Sequence, residues 1–261
     1  MKSHTITLKL WAVSPYPSIV RWDGQETAHS ICIVSLVVAL FLCLTGPAWA
    51  VSPNAEELGA AQRWSSVHLG GDPAALPFSF TFGGRPSNEL LKRWPLEQST
   101  KRLDERRTRH TLTFADPQSK VEVRCEAIEY LDYPTVEWTL YFRNMGEADS
   151  PILKDIQALD AIWERDPESE FLLHHAVGSP ANGSDYGPLE TPLRPGAVKR
   201  ISAAGGRPTN SDLSYFNLQW GSQGLAVRVL NPTNEPIDGI RLQETAHTAK
   251  TVPWRPGRGI L

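Results

Sequence analysis

Two glycine-led polar stretches contain the residue types in this sequence that best suit ligand binding. Residues 83–89 read Gly-Gly-Arg-Pro-Ser-Asn-Glu, and residues 205–212 read Gly-Gly-Arg-Pro-Thr-Asn-Ser-Asp. Arg, Ser, Thr, Asn and Asp side chains supply the hydrogen-bond donors and acceptors that a hydroxyl-rich ligand requires. Loops carry function but mostly connect elements, so the simpler alternative is that both stretches end a strand.

Other groups that could do chemistry lack the neighbours they need. His174 and His175 are adjacent, and adjacent side chains of a strand point to opposite faces, so they predict one buried and one exposed histidine instead of a metal pair. Cys125 lies among alternating apolar residues with no base nearby, which is typical of a small buried hydrophobe. The sequence has no G-x-S-x-G motif and no phosphate-binding glycine loop. We therefore expect no catalytic residue, no metal ligand and no cofactor site in this chain.

The elements that would position these loops are predicted to be strands. Apolar and polar residues alternate over residues 78–82, 120–127 and 135–143, with Thr135 assigned to the polar face of the last. One buried and one wet face are typical of antiparallel sheets. The spacing of the runs, with Gly, Pro and Asp between them, predicts an all-β antiparallel sandwich. Further strands are predicted at residues 109–114, 154–163, 171–175, 198–203, 215–220 and 225–230.

The N-terminal region, residues 1–50, indicates export. Residues 31–44 form an uncharged apolar run, and Ala48 and Ala50 flank Trp49 as a signal-peptidase site requires. A run of about 14 residues forms a short signal helix and is shorter than the roughly 20 residues of a membrane span. The preceding segment is long for a signal peptide, which suggests a start codon assigned too early. We expect an exported protein, periplasmic or extracellular; the alternative is a membrane anchor formed by an uncleaved signal.

Three further regions follow the export signal. Residues 51–75 are predicted to be an N-terminal segment with a short helix at 53–64, and residues 76–230 the β-sandwich. Residues 231–261 are rich in Pro and Arg and are predicted to be an irregular tail. The charge cluster at residues 104–107 is interpreted as a solvated surface.

The overall composition excludes some partners. Lys and Arg total 26 against 29 Asp and Glu, so the net charge of −3 gives no field for nucleic acid or for an anionic membrane. The nine Trp residues are expected mostly to fill the core.

Between residues 76 and 220 the chain resembles the N-terminal domain of the α-galactosidases of glycoside hydrolase family 36. The segments that carry the resemblance fall in the expected order, without large gaps. They are residues 77–84, 103–108, 133–142, 155–160, 171–175, 205–212 and 215–220. The resemblance implies a β-supersandwich, in agreement with the alternation of the strands.

In that family the sandwich precedes a (β/α)₈ barrel, which holds both aspartates of a retaining mechanism. A barrel takes about 250 residues and does not fit after residue 220, so no catalytic residue is carried over. The change in character near residues 221–230 suggests a frameshift or truncation.

By position, the resemblance places Arg207, Thr209, Asn210 and Asp212 near the sugar. It also implies an α-galactoside as the partner of the full-length parent, and oligomerisation through the sandwich. The expected function is thus the noncatalytic sandwich of an α-galactosidase-like enzyme. The alternatives are a stand-alone carbohydrate-binding module and a product without activity.

Overall fold

In a computed structural model of the chain, residues 4–12, 52–202, 209–230, 240–245 and 248–252 are described. Antiparallel strands dominate these residues, which confirms the all-β prediction. The helices are α1 (Ala55–His68) and α2 (Ser87–Leu90). The strands are β1 (His4–Ala12), β2 (Ser79–Phe82), β3 (Arg85–Pro86), β4 (Leu96–Arg102), β5 (Arg107–Ala115), β6 (Val121–Tyr130), β7 (Thr135–Asn144), β8 (Leu153–Gln157), β9 (Ile162–Glu164), β10 (Phe171–Ala176), β11 (Pro188–Leu193), β12 (Val198–Ile201), β13 (Tyr215–Trp220), β14 (Gln223–Leu230), β15 (Ile240–Thr245) and β16 (Thr248–Val252).

The strands form three sheets. The largest has nine strands in the order β11-β10-β13-β14-β1-β7-β6-β5-β4. A second has the order β12-β15-β16-β9, and a third the order β3-β2-β8. The third sheet packs on the first, since Phe80 of β2 meets Phe142 of β7 edge-on at 5.4 Å between ring centroids. Burying one face of each sheet against the other is the packing that defines a sandwich.

Strands β6 and β7 show why the alternation predicted the core correctly. Burial alternates along the whole of β6, and Val123, Cys125 and Ala127 are almost inaccessible to solvent. In β7 the alternation begins one residue late, because Thr135 is buried as well as Val136. The prediction that Thr135 lies on the polar face is therefore wrong. It lies where the chain enters the sheet from a turn, and there the simple period of two does not yet hold.

Helix α1 begins with a reciprocal cap. The Asn54 side chain accepts from the backbone N–H of Glu57 at 2.9 Å, and the Glu57 carboxylate accepts from the backbone N–H of Asn54 at 2.9 Å. The helix is longer than the predicted 53–64, and its Trp64 ring stacks on Trp138 of β7 at 5.3 Å. Trp138 also donates its indole N–H to the Ala158 carbonyl at 2.8 Å, which satisfies the buried polar atom.

Three features differ from the expectations. Strand β1 lies within the predicted export region and is paired in the middle of the large sheet. The predicted strand at 154–163 is two strands, β8 and β9, in different sheets. The tail contains the β15–β16 hairpin, which its Pro and Arg content did not predict.

The predicted signal helix at residues 31–44 and the predicted cleavage site lie outside the described residues. Within the described part of the chain, no helix has the length and apolar character needed to span a membrane.

Candidate functional site

An open cleft lies where the β4–β5 turn meets the β6–β7 turn, and we call it the turn cleft. It has a volume of about 790 Å³, within the range of small-molecule sites. The two turns meet because β5 and β6 are antiparallel, so that Arg107 at the start of β5 is paired with Tyr130 at the end of β6. The cleft is lined by Asp104, Glu105, Arg106, Arg107, Tyr130, Asp132, Tyr133, Thr135 and Glu137.

The β4–β5 turn is held by Asp104. Its carboxylate accepts from the backbone N–H of Arg106 at 2.9 Å and from the Arg107 guanidinium Nε at 2.8 Å. A second guanidinium nitrogen of Arg107 lies 2.6 Å from the same carboxylate. The hydrogen bond from Arg107 and the backbone hydrogen bond lower the pKa of Asp104 below its ordinary value, so the pair stays ionised. Arg102 donates to the carbonyls of Asp104 and Glu105, which orders the turn further.

The opposite wall comes from the end of β6 and the start of β7. The Tyr130 hydroxyl donates to Glu137 Oε1 at 3.0 Å. Burial raises the pKa of Tyr130, and the hydrogen bond to Glu137 raises it further, so the phenol stays protonated at neutral pH. Asp132 bridges the two walls, because its carboxylate lies 3.6 Å from the Arg106 guanidinium. Tyr133 is 40% exposed and offers an aromatic face to solvent.

Thr135 is the least accessible residue of the cleft lining. It is only 3% exposed, and its Oγ1 has no hydrogen-bond partner in the structure. A buried hydroxyl without a partner typically costs about 1–3 kcal/mol, and such a group is an exception in native proteins. A ligand hydroxyl that reached Thr135 would remove this cost.

The turn cleft is equipped for binding more clearly than for catalysis. Carboxylates accept hydrogen bonds from sugar hydroxyls, guanidinium groups donate to them, and tyrosine rings stack on the apolar faces of a sugar. The carboxylates of Asp104 and Glu137 are both engaged by neighbours at the cleft wall. Among the described residues, no group of three or more His, Cys, Asp and Glu side chains could hold a metal ion.

The predicted site residues at 205–212 lie in a different part of the fold. Arg207 falls outside the described residues. Thr209, Asn210 and Asp212 belong to a turn that we call the Thr209 loop (residues 209–212), which follows the undescribed part of the glycine stretch. Thr209 has a φ of 57°, which is strained for a β-branched residue.

Backbone contacts hold the Thr209 loop against the loop after β10. Gly178 N donates to the Ser211 carbonyl at 2.7 Å, and Ser179 N donates to the Thr209 carbonyl at 2.6 Å. One Asp212 carboxylate oxygen accepts from the backbone N–H of Ser202 at 3.0 Å. Asp212 thus has a structural contact, whereas the proximity of the loop to sugar stays a prediction.

The first glycine stretch forms the β2–β3 hairpin. Gly83 and Gly84 have φ values of 56° and 79°, in the left-handed region that favours glycine, which accounts for both residues at this turn. Arg85 forms an exposed ion pair with Glu89 at 3.9 Å. The stretch therefore ends a strand, as its simpler interpretation holds.

The histidine pair follows the predicted alternation. His175 is buried at 6% exposure, and its Nε2 lies 2.9 Å from Thr191 Oγ1. His174 is on the opposite face, partly exposed, and its Nε2 lies 2.8 Å from Gln219 Oε1. Burial lowers the pKa of His175, and the nearby Lys199 cation lowers it further, so the ring is neutral at pH 7. The prediction for Cys125 is confirmed, because it is buried and free and burial raises its pKa.

The sequence interpretation missed the turn cleft. It treated residues 104–107 as a solvated charge cluster, and it did not connect them with residues 130–137. The signal was present, since an antiparallel pairing of residues 109–114 with 120–127 brings the turn before one strand beside the turn after the other.

Comparison with known proteins gives a limited result. No protein-family model matches the chain, and no curated protein matches it. Among solved structures, the fold is similar to the crystal structure of the GH36 alpha-galactosidase AgaA from Geobacillus stearothermophilus, with a TM-score of 0.42 and 11% sequence identity. The similarity covers 71% of this chain and 29% of that enzyme.

Proposed function

We propose that this chain is the noncatalytic β-sandwich portion of an exported α-galactosidase-like glycoside hydrolase. In this proposal it supports a catalytic barrel that lies outside the chain, and the substrate is an α-galactoside. The same sandwich is the surface through which the enzyme would form oligomers.

The observation that carries the proposal is the way the resembling segments assemble. Residues 171–175 and 215–220 are far apart in the sequence, yet they form the adjacent strands β10 and β13, with Phe171 paired to Trp220. Residues 133–142 supply most of β7, on the same sheet. Segments that belong to one inherited domain are expected to share one sheet and one core, which these do.

The noncatalytic assignment is tested with the purified full chain and a chromogenic α-galactoside. We expect no hydrolysis above that of a mock purification from cells that lack the gene. Turnover that follows the protein through two chromatography steps would contradict the assignment. Export is tested separately by sequencing the N-terminus of the secreted product, which is expected to begin at Val51.

A second candidate function is carbohydrate binding by the sandwich itself, and the turn cleft favours it. The partnerless hydroxyl of Thr135 and the exposed ring of Tyr133 are the groups that a bound sugar would engage. A stand-alone module of this kind would bind a glycan without hydrolysing it.

The binding function is tested by calorimetric titration of the full chain with melibiose. Tyr133→Ala is expected to weaken binding by about tenfold, which corresponds to the loss of about 1.4 kcal/mol of stacking. Tyr186→Ala is the matched control, because Tyr186 is also exposed but does not line the cleft. Equal binding by the two variants would exclude the turn cleft as the sugar site.

A further inference from the structure

The nine-stranded sheet contains a position that a single N-terminal strand fills. Strand β1 lies between β7 and β14 and is antiparallel to both. His4 to Trp11 are in register with Phe142 to Thr135, and Thr7 to Ala12 with Leu230 to Leu225. Strands β7 and β14 therefore run parallel to each other, one strand apart. We call the space between them the strand slot.

The strand slot crosses the best-buried part of the sheet. Leu8 of β1 is in register with Trp138, which is 1% exposed, and Leu10 is in register with Val227, which is fully buried. Without β1, the inner edges of β7 and β14 would have unpaired backbone groups beside the core. Roughly a dozen ladder hydrogen bonds would be lost, on the pattern of one per register pair. An open edge of that length is a template for pairing with another chain.

The connection between β1 and the rest of the domain bears on what holds the strand. Residues 13–51 separate β1 from the residues before α1, and the predicted cleavage site after Ala50 lies in that segment. A cut there removes the covalent link to β1 but changes no atom of β7 or β14. The pairing of β1 with its two neighbours is then the attachment that remains.

We propose that the strand slot is a strand-accepting site, that its occupant is the chain's own segment His4–Ala12, and that this segment stays bound after the chain is cut between β1 and α1. The slot recognises an extended peptide through backbone hydrogen bonds on both sides. This is the mode by which sheets take up an added strand, with the difference that here the strand enters between two edges. The proposal goes beyond the proposed function, and it depends neither on the sugar nor on the barrel.

The test uses the full chain with a protease recognition sequence inserted between residues 24 and 25. The folded protein is cut, and the products are separated by gel filtration under native conditions. We expect the N-terminal fragment to co-elute with the large fragment and to separate only in denaturant. We also expect the amide hydrogens of β7 and β14 to keep the exchange protection of the uncut chain. Separation of the fragments under native conditions, with protection of β7 and β14 retained, would overturn the proposal.

A substitution in the occupant supplies an independent test. Leu8→Pro removes a backbone N–H from a strand that is paired on both sides. In a labelled synthetic peptide of residues 3–13, this change is expected to weaken binding to the cut protein by about tenfold, as the loss of one ladder bond predicts. A scrambled peptide of the same composition is the control. Equal binding of the Leu8→Pro and unchanged peptides would show that β1 does not occupy the slot.

These results are distinguishable from those that test the proposed function. Retention of the strand is measured with an engineered cut and a synthetic peptide, so it does not require export. A protein that hydrolyses an α-galactoside and retains β1 contradicts the proposed function alone. A protein that is inactive and releases β1 with its sheet intact contradicts the strand-accepting site alone.

Discussion

Gly178 occupies the closest backbone approach between the Thr209 loop and the loop after β10, and its replacement by alanine tests how these loops are packed. A Cβ at Gly178 would lie 1.9 Å from the Thr209 carbonyl oxygen and 2.6 Å from its carbon. Real Cβ atoms do not approach a backbone atom that closely, and a carbonyl in a hydrogen-bonded turn cannot swing aside as a long side chain can. Gly178→Ala must therefore move one loop away from the other.

The energetic cost follows from the contacts that the movement breaks. Gly178 N donates to the Ser211 carbonyl, and Ser179 N donates to the Thr209 carbonyl. Overpacking a close contact costs about 1–3 kcal/mol, and each lost hydrogen bond about 0.5–1.5 kcal/mol. Since relaxation relieves the overlap by breaking the bonds, the two terms are not additive, and we expect a destabilisation of about 3 kcal/mol. For a chain of this size, the melting temperature should fall by about 6–12 °C.

Gly183→Ala is the matched control, because Gly183 lies in the same loop and an added Cβ there meets nothing within 4 Å. We expect the control to leave the melting temperature unchanged or to raise it slightly, since alanine restricts the unfolded chain more than glycine does. Both variants are measured by differential scanning calorimetry at pH 7.5. If Gly178→Ala melts within about 2 °C of Gly183→Ala, the close approach of the two loops is wrong.

Three further predictions concern titration and packing. His175 has a lowered pKa because of burial and the Lys199 cation, so its contribution to stability is present above the unfolded pKa of about 6.5 and is lost as the pH falls below it; His175→Gln should flatten this part of a melting-temperature profile between pH 8 and pH 5. Tyr130 has a raised pKa, so its contribution is present below the unfolded pKa of about 10 and is lost above it. Tyr130→Phe, which forfeits the bond to Glu137 worth about 1 kcal/mol at pH 7, should show a smaller alkaline loss than the wild type in urea titrations at pH 7 and pH 10.5. Thr135→Val removes a partnerless buried hydroxyl and should raise the unfolding free energy by up to about 1 kcal/mol while weakening melibiose binding at the turn cleft; a destabilised variant would show that Oγ1 has a partner.

Local pattern was sufficient for the elements that lie on a half-buried sheet. Strands β6 and β7, and the phenylalanine face of β2, were predicted because a period of two is a direct consequence of one wet face and one buried face. The edge strand β4 was missed for the same reason. All of its residues are exposed, so no apolar periodicity is present to indicate a strand. The tail hairpin was missed because its pairing depends on β12 and β9, which are distant in the sequence.

The candidate site was predicted less well than the fold. Chemistry-bearing residue types directed attention to residues 205–212, where Asp212 has a backbone contact that orders the loop. The turn cleft joins two short turns, and neither contains a recognisable motif. Its composition is visible only when the antiparallel register places Arg107 beside Tyr130.

The sequence by itself determined that this chain is an antiparallel β-protein, that Cys125 is buried and unreactive, and that His174 and His175 lie on opposite faces of a strand. These follow from the alternation of side chains, which is a local property of the backbone. Only the tertiary structure decided which turns form a cleft, which glycine tolerates no side chain, and which strand lies between β7 and β14. Those depend on contacts between residues far apart in the chain, and no local pattern encodes which distant strands become neighbours.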